Sequence, residues 1–325
     1  MKKIILTIAI ISLAIGSVFA TGGGEKKAET PKITSAVMGT GSMGGSSHAT
    51  ASMIATQIKK HTPELTVTVQ AGGGSAEGIR LIKQGEYQFA LINSAMIVYA
   101  FNAQAEFAKD QPYKDIRFVC NLYPAVAQPI VRKDSNINNY NDLKGKIFSG
   151  GSPGSGDLVM FEEIFNFYGL TTKDMDWRPL SNTERVSGFK DRHIQSGGWV
   201  TTVPAGNILE IAAGTPLRIL AIDKVDDFLK KYPYYSKFII PKGVYNGVEE
   251  DVASASVGQI IASRADVSDD MVYTYLKGMY MGLDELQKVH GMAHYIKLET
   301  ALDGSKGVPV HAGAQKYFKE KGLIK

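Results

Sequence analysis

Three loops rich in glycine and serine, at residues 39–47, 71–75 and 149–157, constrain the fold more than any other feature of the chain. Each loop follows a strand-like run and precedes a segment with apolar residues at helical spacing. Repeated strand–loop–helix units indicate a parallel sheet with helices on its faces, and ligands bind such sheets at the carboxyl ends of the strands. Because small residues let the backbone approach a ligand, the three loops together predict one small molecule held between two lobes. Taken singly, each loop is equally typical of an ordinary tight turn.

The alternation of strands and helices predicts two α/β lobes with flanking helices and a hinge. The expected boundaries are lobe I at residues 32–123 and 251–325 and lobe II at residues 124–250. The extended stretch between the lobes is expected to break at Pro124 and Pro129, because proline cannot donate to a sheet ladder. Helices predicted at residues 271–283 and 284–302 are expected to return and cover lobe I.

The first twenty residues have the pattern of a secretory signal peptide. Two lysines precede an apolar run at residues 4–13, and residues 18–20 (Val-Phe-Ala) match a small-x-small cleavage site. Cleavage is expected near Ala20, followed by a flexible polar leader at residues 21–31 and a location in the periplasm. A membrane anchor is the alternative, although the apolar run is short for a bilayer span of about 20 residues.

Composition and motifs argue against several other functional classes. The net charge is +4 and no basic block is interleaved with aromatic residues, so nucleic-acid binding has little support. The chain has neither a Gly-x-Ser-x-Gly elbow nor a Walker loop. Gly39, Gly41 and Gly44 match a dinucleotide fingerprint by spacing alone, and His290 and His294 are a candidate metal pair without the usual intervening glutamate. We therefore expect no catalytic residue, no cofactor and no metal.

Short motifs follow one another in order along most of the chain. They are residues 39–45 (Gly-Thr-Gly-Ser-Met-Gly-Gly), 74–75 (Gly-Ser) with 85–86 (Gly-Glu), 142–146 (Asp-Leu-Lys-Gly-Lys), 150–156 (Gly-Gly-Ser-Pro-Gly-Ser-Gly), 232–233 (Tyr-Pro), 240–245 (Ile-Pro-Lys-Gly-Val-Tyr) and 308–314 (Val-Pro-Val-His-Ala-Gly-Ala). Their order and spacing resemble those of the TAXI-type solute receptors of tripartite ATP-independent periplasmic (TRAP) transporters.

The resemblance implies a two-lobed periplasmic binding protein of type II, with mixed, mostly parallel sheets, that closes on a solute by hinge motion. It also implies delivery of the solute to TRAP permease subunits, which take it up with an ion gradient. Family ligands are commonly small carboxylates such as glutamate, glutamine or 2-oxo acids. We expect a monomer, because no long apolar stripe is predicted on the surface. We also expect no enzymatic activity. A sensory subunit for a membrane kinase would share this fold and pocket, and that alternative stays open, as does an exported α/β enzyme.

The expected solute-binding residues lie in the three loops and at neighbouring strand ends. Those that match the pocket motifs of the family are Thr40, Gly41, Ser42, Gly44, Gly45, Ser75, Ser94, Gly154, Ser155 and Gly156. Neighbouring positions add Ser47, His48, Glu77, Asn93, Asp157 and Trp199. Tyr99 is a further candidate for a pocket wall, and Arg80 and Arg178 are candidate partners of a solute carboxylate. For these three, core packing or surface placement is the alternative.

Several loop positions depart from the family pattern. Ser47 and His48 stand where aromatic residues are usual, Glu77 where asparagine is usual, Ala95 where aspartate is usual and Asp157 where threonine is usual. The pocket thereby loses an aromatic wall and gains two acids. Because an unpaired carboxylate beside an anionic solute is costly, we expect a solute with an amine, a guanidine or several hydroxyls rather than a plain dicarboxylate. Alternatively, Asp157 caps the following helix and faces away from the solute.

Overall fold

The computed structural model describes residues 34–289 and 291–325. The predicted signal peptide at residues 1–20, the leader at residues 21–31 and His290 lie outside the described residues. The strands are β1 Thr34–Thr40, β2 Leu65–Ala71, β3 Phe89–Asn93, β4 Ile116–Arg132, β5 Ile147–Ser149, β6 Asp176–Trp177, β7 Ser196–Thr201, β8 Leu217–Ile219, β9 Ser236–Ile240 and β10 Val252–Arg264. The α-helices are α1 Ser46–His61, α2 Ser75–Gln84, α3 Ser94–Asn102, α4 Gly156–Phe167, α5 Asn182–Lys190, α6 Gly206–Gly214, α7 Val225–Lys231, α8 Asp269–Met281, α9 Leu283–Val289 and α10 Ala312–Glu320.

The strands form one mixed sheet in the order β2-β1-β3-β10-β4-β7-β5-β6, with β8 paired to β4 and β9 paired to β10. β1 is parallel to β2 and β3, and β5 is parallel to β6 and β7. Between these two parallel groups, the long strands β4 and β10 pair antiparallel to each other. The mixed α/β fold with flanking helices is thus confirmed, and parallel pairing is confined to the two outer groups. The lobe boundaries at residues 123–124 and 250–251 stay a prediction.

β4 runs through both of its prolines without interruption, so the predicted break at these positions is wrong. Pro124 lies opposite Gly258, next to an irregularity in the pairing with β10. Pro129 lies opposite Gly198, and its carbonyl accepts a hydrogen bond from the Leu220 N–H at 2.9 Å. Proline is tolerated in a strand where the pairing does not need its missing N–H. The result is one long strand that pairs with β10 and with β7 of the second parallel group.

The tail of the chain packs on the first parallel group. α8 begins after Ser268, whose hydroxyl accepts a hydrogen bond from the Met271 N–H at 3.2 Å. α8 packs against both α1 and α10, around a core that includes Phe89 and Tyr275. The predicted helix at residues 284–302 is wrong in its extent, because α9 is followed by a short 3-10 helix, Gly291–Tyr295. The low helix propensity of glycine explains a boundary there.

Parallel pairing brings the three glycine loops together at one edge of the sheet. Thr40 at the end of β1 lies opposite Ala71 at the end of β2, so the first two loops begin side by side. The third loop reaches the second, because the Ala76 N–H donates to the Gly154 carbonyl at 3.1 Å. Gly74 has a φ of +104°, a conformation that glycine adopts without strain. The predicted gathering of the loops is therefore confirmed.

No helix among residues 34–289 and 291–325 combines the length and the apolar character needed to cross a bilayer. Cys120 is fully buried in β4, and burial raises the pKa of its thiol well above the usual range. A buried neutral thiol of this kind packs as a small apolar side chain.

Candidate functional site

A cavity of about 100 Å³ lies where the three loops meet β7 and α5. Ten of the predicted site residues line it: Gly41, Ser42, Gly45, Ser47, Ser75, Asn93, Ser155, Gly156, Asp157 and Trp199. The lining is dominated by hydroxyls, amides and glycine backbone, with one acidic and one basic side chain. Such a surface offers many hydrogen bonds to a small polar molecule and little apolar area.

Six other predicted residues do not line this cavity, namely Thr40, Gly44, His48, Glu77, Ser94 and Gly154. The Thr40 hydroxyl lies 3.0 Å from His48 Nδ1, so these two side chains support the first loop from behind. The Glu77 carboxylate accepts a hydrogen bond from the Gly73 N–H and holds the second loop. Ser94 is buried at the start of α3, and Gly154 accepts the hydrogen bond from Ala76. Their roles are structural in this geometry, and any part in solute binding stays a prediction.

Arg185 and Asn182, both on α5, are site residues that the sequence did not reveal. Arg185 is 3% exposed, lines the cavity and lies over the Trp199 ring, with its guanidinium carbon 4.5 Å from the ring centroid. It donates hydrogen bonds to the Gly198 carbonyl and, at 2.6 Å, to Asn182 Oδ1. Within the described part of the chain, Arg185 Nε has no hydrogen-bond partner. The sequence shows only the capping box that begins α5, in which Ser181 accepts from the Glu184 N–H at 3.4 Å.

Asn182 joins the two sides of the cavity. Its Oδ1 also accepts a hydrogen bond from Trp199 Nε1 at 2.9 Å, and its Nδ2 donates to Ser42 Oγ at 3.2 Å. One amide therefore fixes the tryptophan ring, the arginine and the first glycine loop. A single side chain that satisfies several buried donors is costly to remove, because the donors are then left unpaired.

Asp157 and Arg185 form a weak charge pair at the wall of the cavity. Asp157 Oδ2 lies 3.8 Å from an Arg185 terminal nitrogen. Burial raises the pKa of Asp157 to about 6, against the opposing effects of the Arg185 charge and of a hydrogen bond from the Val200 N–H. Burial lowers the pKa of Arg185 to about 10, and the Asp157 charge opposes that shift. Each group is therefore short of the polar partners that would fully offset its burial.

The predicted cap role of Asp157 belongs instead to Ser155. The Ser155 hydroxyl accepts a hydrogen bond from the Leu158 N–H at 3.2 Å at the start of α4. Asp157 lies in the first turn, where the helix dipole favours a negative charge, and its side chain is 23% exposed. Its carboxylate is thus available to the cavity.

Close backbone approach shapes the cavity wall at Gly156. A side chain at Gly156 would overlap the Asn93 amide, so glycine is required for Asn93 to reach the cavity. Asn93 Oδ1 accepts a hydrogen bond from Gln259 Nε2, and the Asn93 N–H donates to Ser75 Oγ at 3.1 Å. Asn93 is therefore held by β10 and α2 while it lines the cavity.

Three further candidates from the sequence lie elsewhere. Tyr99 donates a hydrogen bond to Glu163 and does not line the cavity. Arg80 forms ion pairs with acids near α3, and the ion pair of Arg178 with Asp176 has a distance of 2.6 Å. Neither arginine lines the cavity or pairs with Glu77, and both side chains lie at the surface, as the alternative reading expected.

No group of three or more His, Cys, Asp or Glu side chains in the described segments is arranged to hold a metal ion. His290 of the candidate histidine pair lies outside those segments. The expectation that the protein uses no metal and no cofactor stays a prediction.

The fold is that of periplasmic binding proteins. The structure of periplasmic binding protein BugD superposes with a TM-score of 0.56 at 12% identity, covering 88% of this chain and 94% of that one. A structure described as a periplasmic transporter superposes with a TM-score of 0.55 at 18% identity, covering 89% of this chain and 94% of that one. A third similar structure is the alkanesulfonate-binding protein SsuA from Xanthomonas axonopodis pv. citri, bound to MOPS. Its TM-score is 0.50 at 14% identity, and the match covers 88% of this chain and 83% of that one. The chain belongs to the NMT1-like family, whose model matches residues 38–322.

Proposed function

We propose that this protein is an extracytoplasmic receptor that captures a small polar solute of the amino-acid or carboxylate class in the cavity between the glycine loops and α5. The observation that carries the proposal is the buried Arg185 in the cavity wall, with an Nε–H that no described residue accepts. A buried donor without a partner costs free energy, so a solute oxygen that accepts from it stabilises the complex. Capture involves no bond making.

A zwitterion satisfies both charged groups of the cavity. Its carboxylate pairs with the guanidinium of Arg185, for which bidentate geometry is favourable. Its ammonium pairs with Asp157, whose carboxylate is then fully ionised. Ser42, Ser75 and Asn93 supply hydroxyl and amide contacts around these charges. A plain dicarboxylate would place a second negative charge near Asp157, and we expect it to bind more weakly.

A solute with an anionic head has a precedent in this fold. An alkanesulfonate carries one negatively charged head, and SsuA binds such a molecule with this fold. Membership of the NMT1-like family and the periplasmic-binding-protein fold both support a receptor that works by closure around a solute. The mature chain, after cleavage near Ala20, acts in the periplasm as a monomer.

The partner of the loaded receptor is a TRAP permease, which moves the solute inward with an ion gradient. The support is the order and spacing of the glycine-loop and tail motifs, which resemble those of TAXI receptors. The test is uptake of labelled solute by vesicles that contain the membrane subunits and the receptor. Uptake that collapses with the ion gradient is expected, and uptake that depends on ATP would overturn the TRAP assignment.

Solute class is tested by thermal shift of the purified mature protein with amino acids, 2-oxo acids, polyamines and sugars. Amino acids are expected to stabilise it, by about 2.7 kcal/mol at a hundredfold excess over Kd. The matching 2-oxo acids, which lack the ammonium group, are expected to give a smaller shift. Stabilisation by sugars or polyamines alone would contradict the proposal, because neither class offers a carboxylate to Arg185.

A further inference from the structure

A second and larger cavity, of about 620 Å³, adjoins the first. The two cavities share Gly45, Ser46, Thr201 and Asn207 in their walls. Ser46 Oγ and Thr201 Oγ1 lie 2.9 Å apart, so one pair of small hydroxyl side chains stands at the boundary. The two spaces are therefore neighbouring chambers separated by small polar groups.

The two chambers differ in chemistry. Besides the shared residues, the second is lined by two polar side chains, Thr202 and His294, and otherwise by glycine and apolar or aromatic residues: Gly44, Ala49, Val203, Pro204, Ala205, Gly206, Met292 and Tyr295. Among the described residues that line it, none is Asp, Glu, Lys or Arg. Val203, Ala205 and Met292 are less than a tenth exposed, whereas Tyr295 is 38% exposed, so the chamber extends from the interior to the surface. Such a lining accepts an uncharged and largely apolar group, and it disfavours a buried charge.

We propose that the solute is bipartite, with its charged head beside Arg185 and an uncharged alkyl or aromatic substituent in the second chamber. This inference rests on the proposed function for the binding of the head. The shared hydroxyls of Ser46 and Thr201 border the path of the substituent. The receptor therefore selects amino acids with apolar side chains over those with a charged side chain, such as glutamate.

The first test measures Kd by isothermal titration of the mature protein with alanine, norvaline, norleucine, phenylalanine and glutamate. Affinity is expected to rise about fourfold for each methylene that enters the second chamber, and glutamate is expected to bind more weakly than norvaline. Affinity that is flat or falls with chain length would overturn the bipartite solute while leaving the receptor function intact. Failure of every amino acid to bind would remove the proposed function as well.

A matched pair of variants locates the substituent. Gly206 lines the second chamber at the start of α6, and Gly214 ends the same helix outside it. An added Cβ meets no atom within 4 Å at either position, so both tolerate a side chain. Gly206→Phe fills the chamber, and the ratio of the alanine and norleucine Kd values is expected to fall towards one. Gly214→Phe is expected to keep the wild-type ratio.

Equal ratios in the two variants and the wild type would contradict the placement of the substituent. Thermal unfolding of each variant confirms that it is folded before the titration. If Gly206→Phe does not fold, the chain-length series on the wild-type protein still decides the proposal, because that series needs no substitution.

Discussion

Burial raises the pKa of Asp157 to about 6, close to neutral pH. Its ordinary value is 3.8, so the folded state binds the proton more tightly than the unfolded state does. The corresponding stabilisation is fully present below about pH 3.8 and is lost as pH rises through about 6. One of the positions that depart from the family pattern thus carries a charge that depends on pH near neutrality.

The first prediction concerns Asp157→Asn in the solute-free protein. Between pH 5 and pH 8, the free energy of unfolding of the wild type is expected to fall by about 1.4 kcal/mol relative to that of the variant. Urea denaturation at several pH values measures the difference in slope. The same slope in both proteins would show that Asp157 titrates normally and does not face a desolvated cavity.

At the level of single residues, the sequence predicts the site unevenly. The sequence predicts Ser42, Ser75 and Gly156 as site residues because they lie in the loops that follow strands. Small residues in such loops let the backbone approach a ligand. Arg185 could not be predicted, since it lies on a helix with weak amphipathic character, and its partners Gly198 and Trp199 belong to a different element, β7. Nothing local to Arg185 distinguishes a buried arginine from a surface one.

Among the elements, α3 and α4 are connected by one carboxylate. Glu163 of α4 accepts hydrogen bonds from the hydroxyls of Tyr99 on α3 and of Tyr234 and Tyr235 before β9. Burial raises the pKa of Glu163, although the three phenols oppose this effect. Because α4 begins at the third glycine loop, this cluster fixes the helix that carries Asp157. The alternation of strands and helices in the sequence predicted the elements. The hydrogen bonds between Glu163 and the three tyrosines could not be predicted, because residues far apart in the sequence form them.

The second prediction concerns this cluster. Glu163→Gln replaces the two carboxyl oxygens by an amide with a single oxygen, which cannot accept from all three phenols. The free energy of unfolding is expected to fall by about 1–3 kcal/mol at neutral pH. Glu162→Gln, one residue earlier on α4, is the control and is expected to have a smaller effect. Chemical denaturation measures both, and equal effects would show that the phenol contacts contribute nothing specific.

For the whole molecule, the two parallel groups of strands share β4 and β10, which cross the middle of the sheet. The cavity has walls from both groups, because Ser42 and Ser75 follow β1 and β2 while Asp157 and Trp199 belong to the β5–β7 side. The continuity of β4 was missed because Pro124 and Pro129 suggested a break. The proposed solute contacts both groups, an arrangement that suits closure of a binding protein around its ligand.

The central claim is that Arg185 binds the head of an amino acid in the cavity. Titration of the mature protein with its best amino-acid ligand measures it, with Arg185→Lys as the test and Arg178→Gln as the control. Arg185→Lys keeps a positive charge but loses the planar donor set, and Kd is expected to rise at least tenfold. Arg178→Gln removes an exposed arginine paired with Asp176 and is expected to leave Kd unchanged. An unchanged Kd in a folded Arg185→Lys protein would contradict the account.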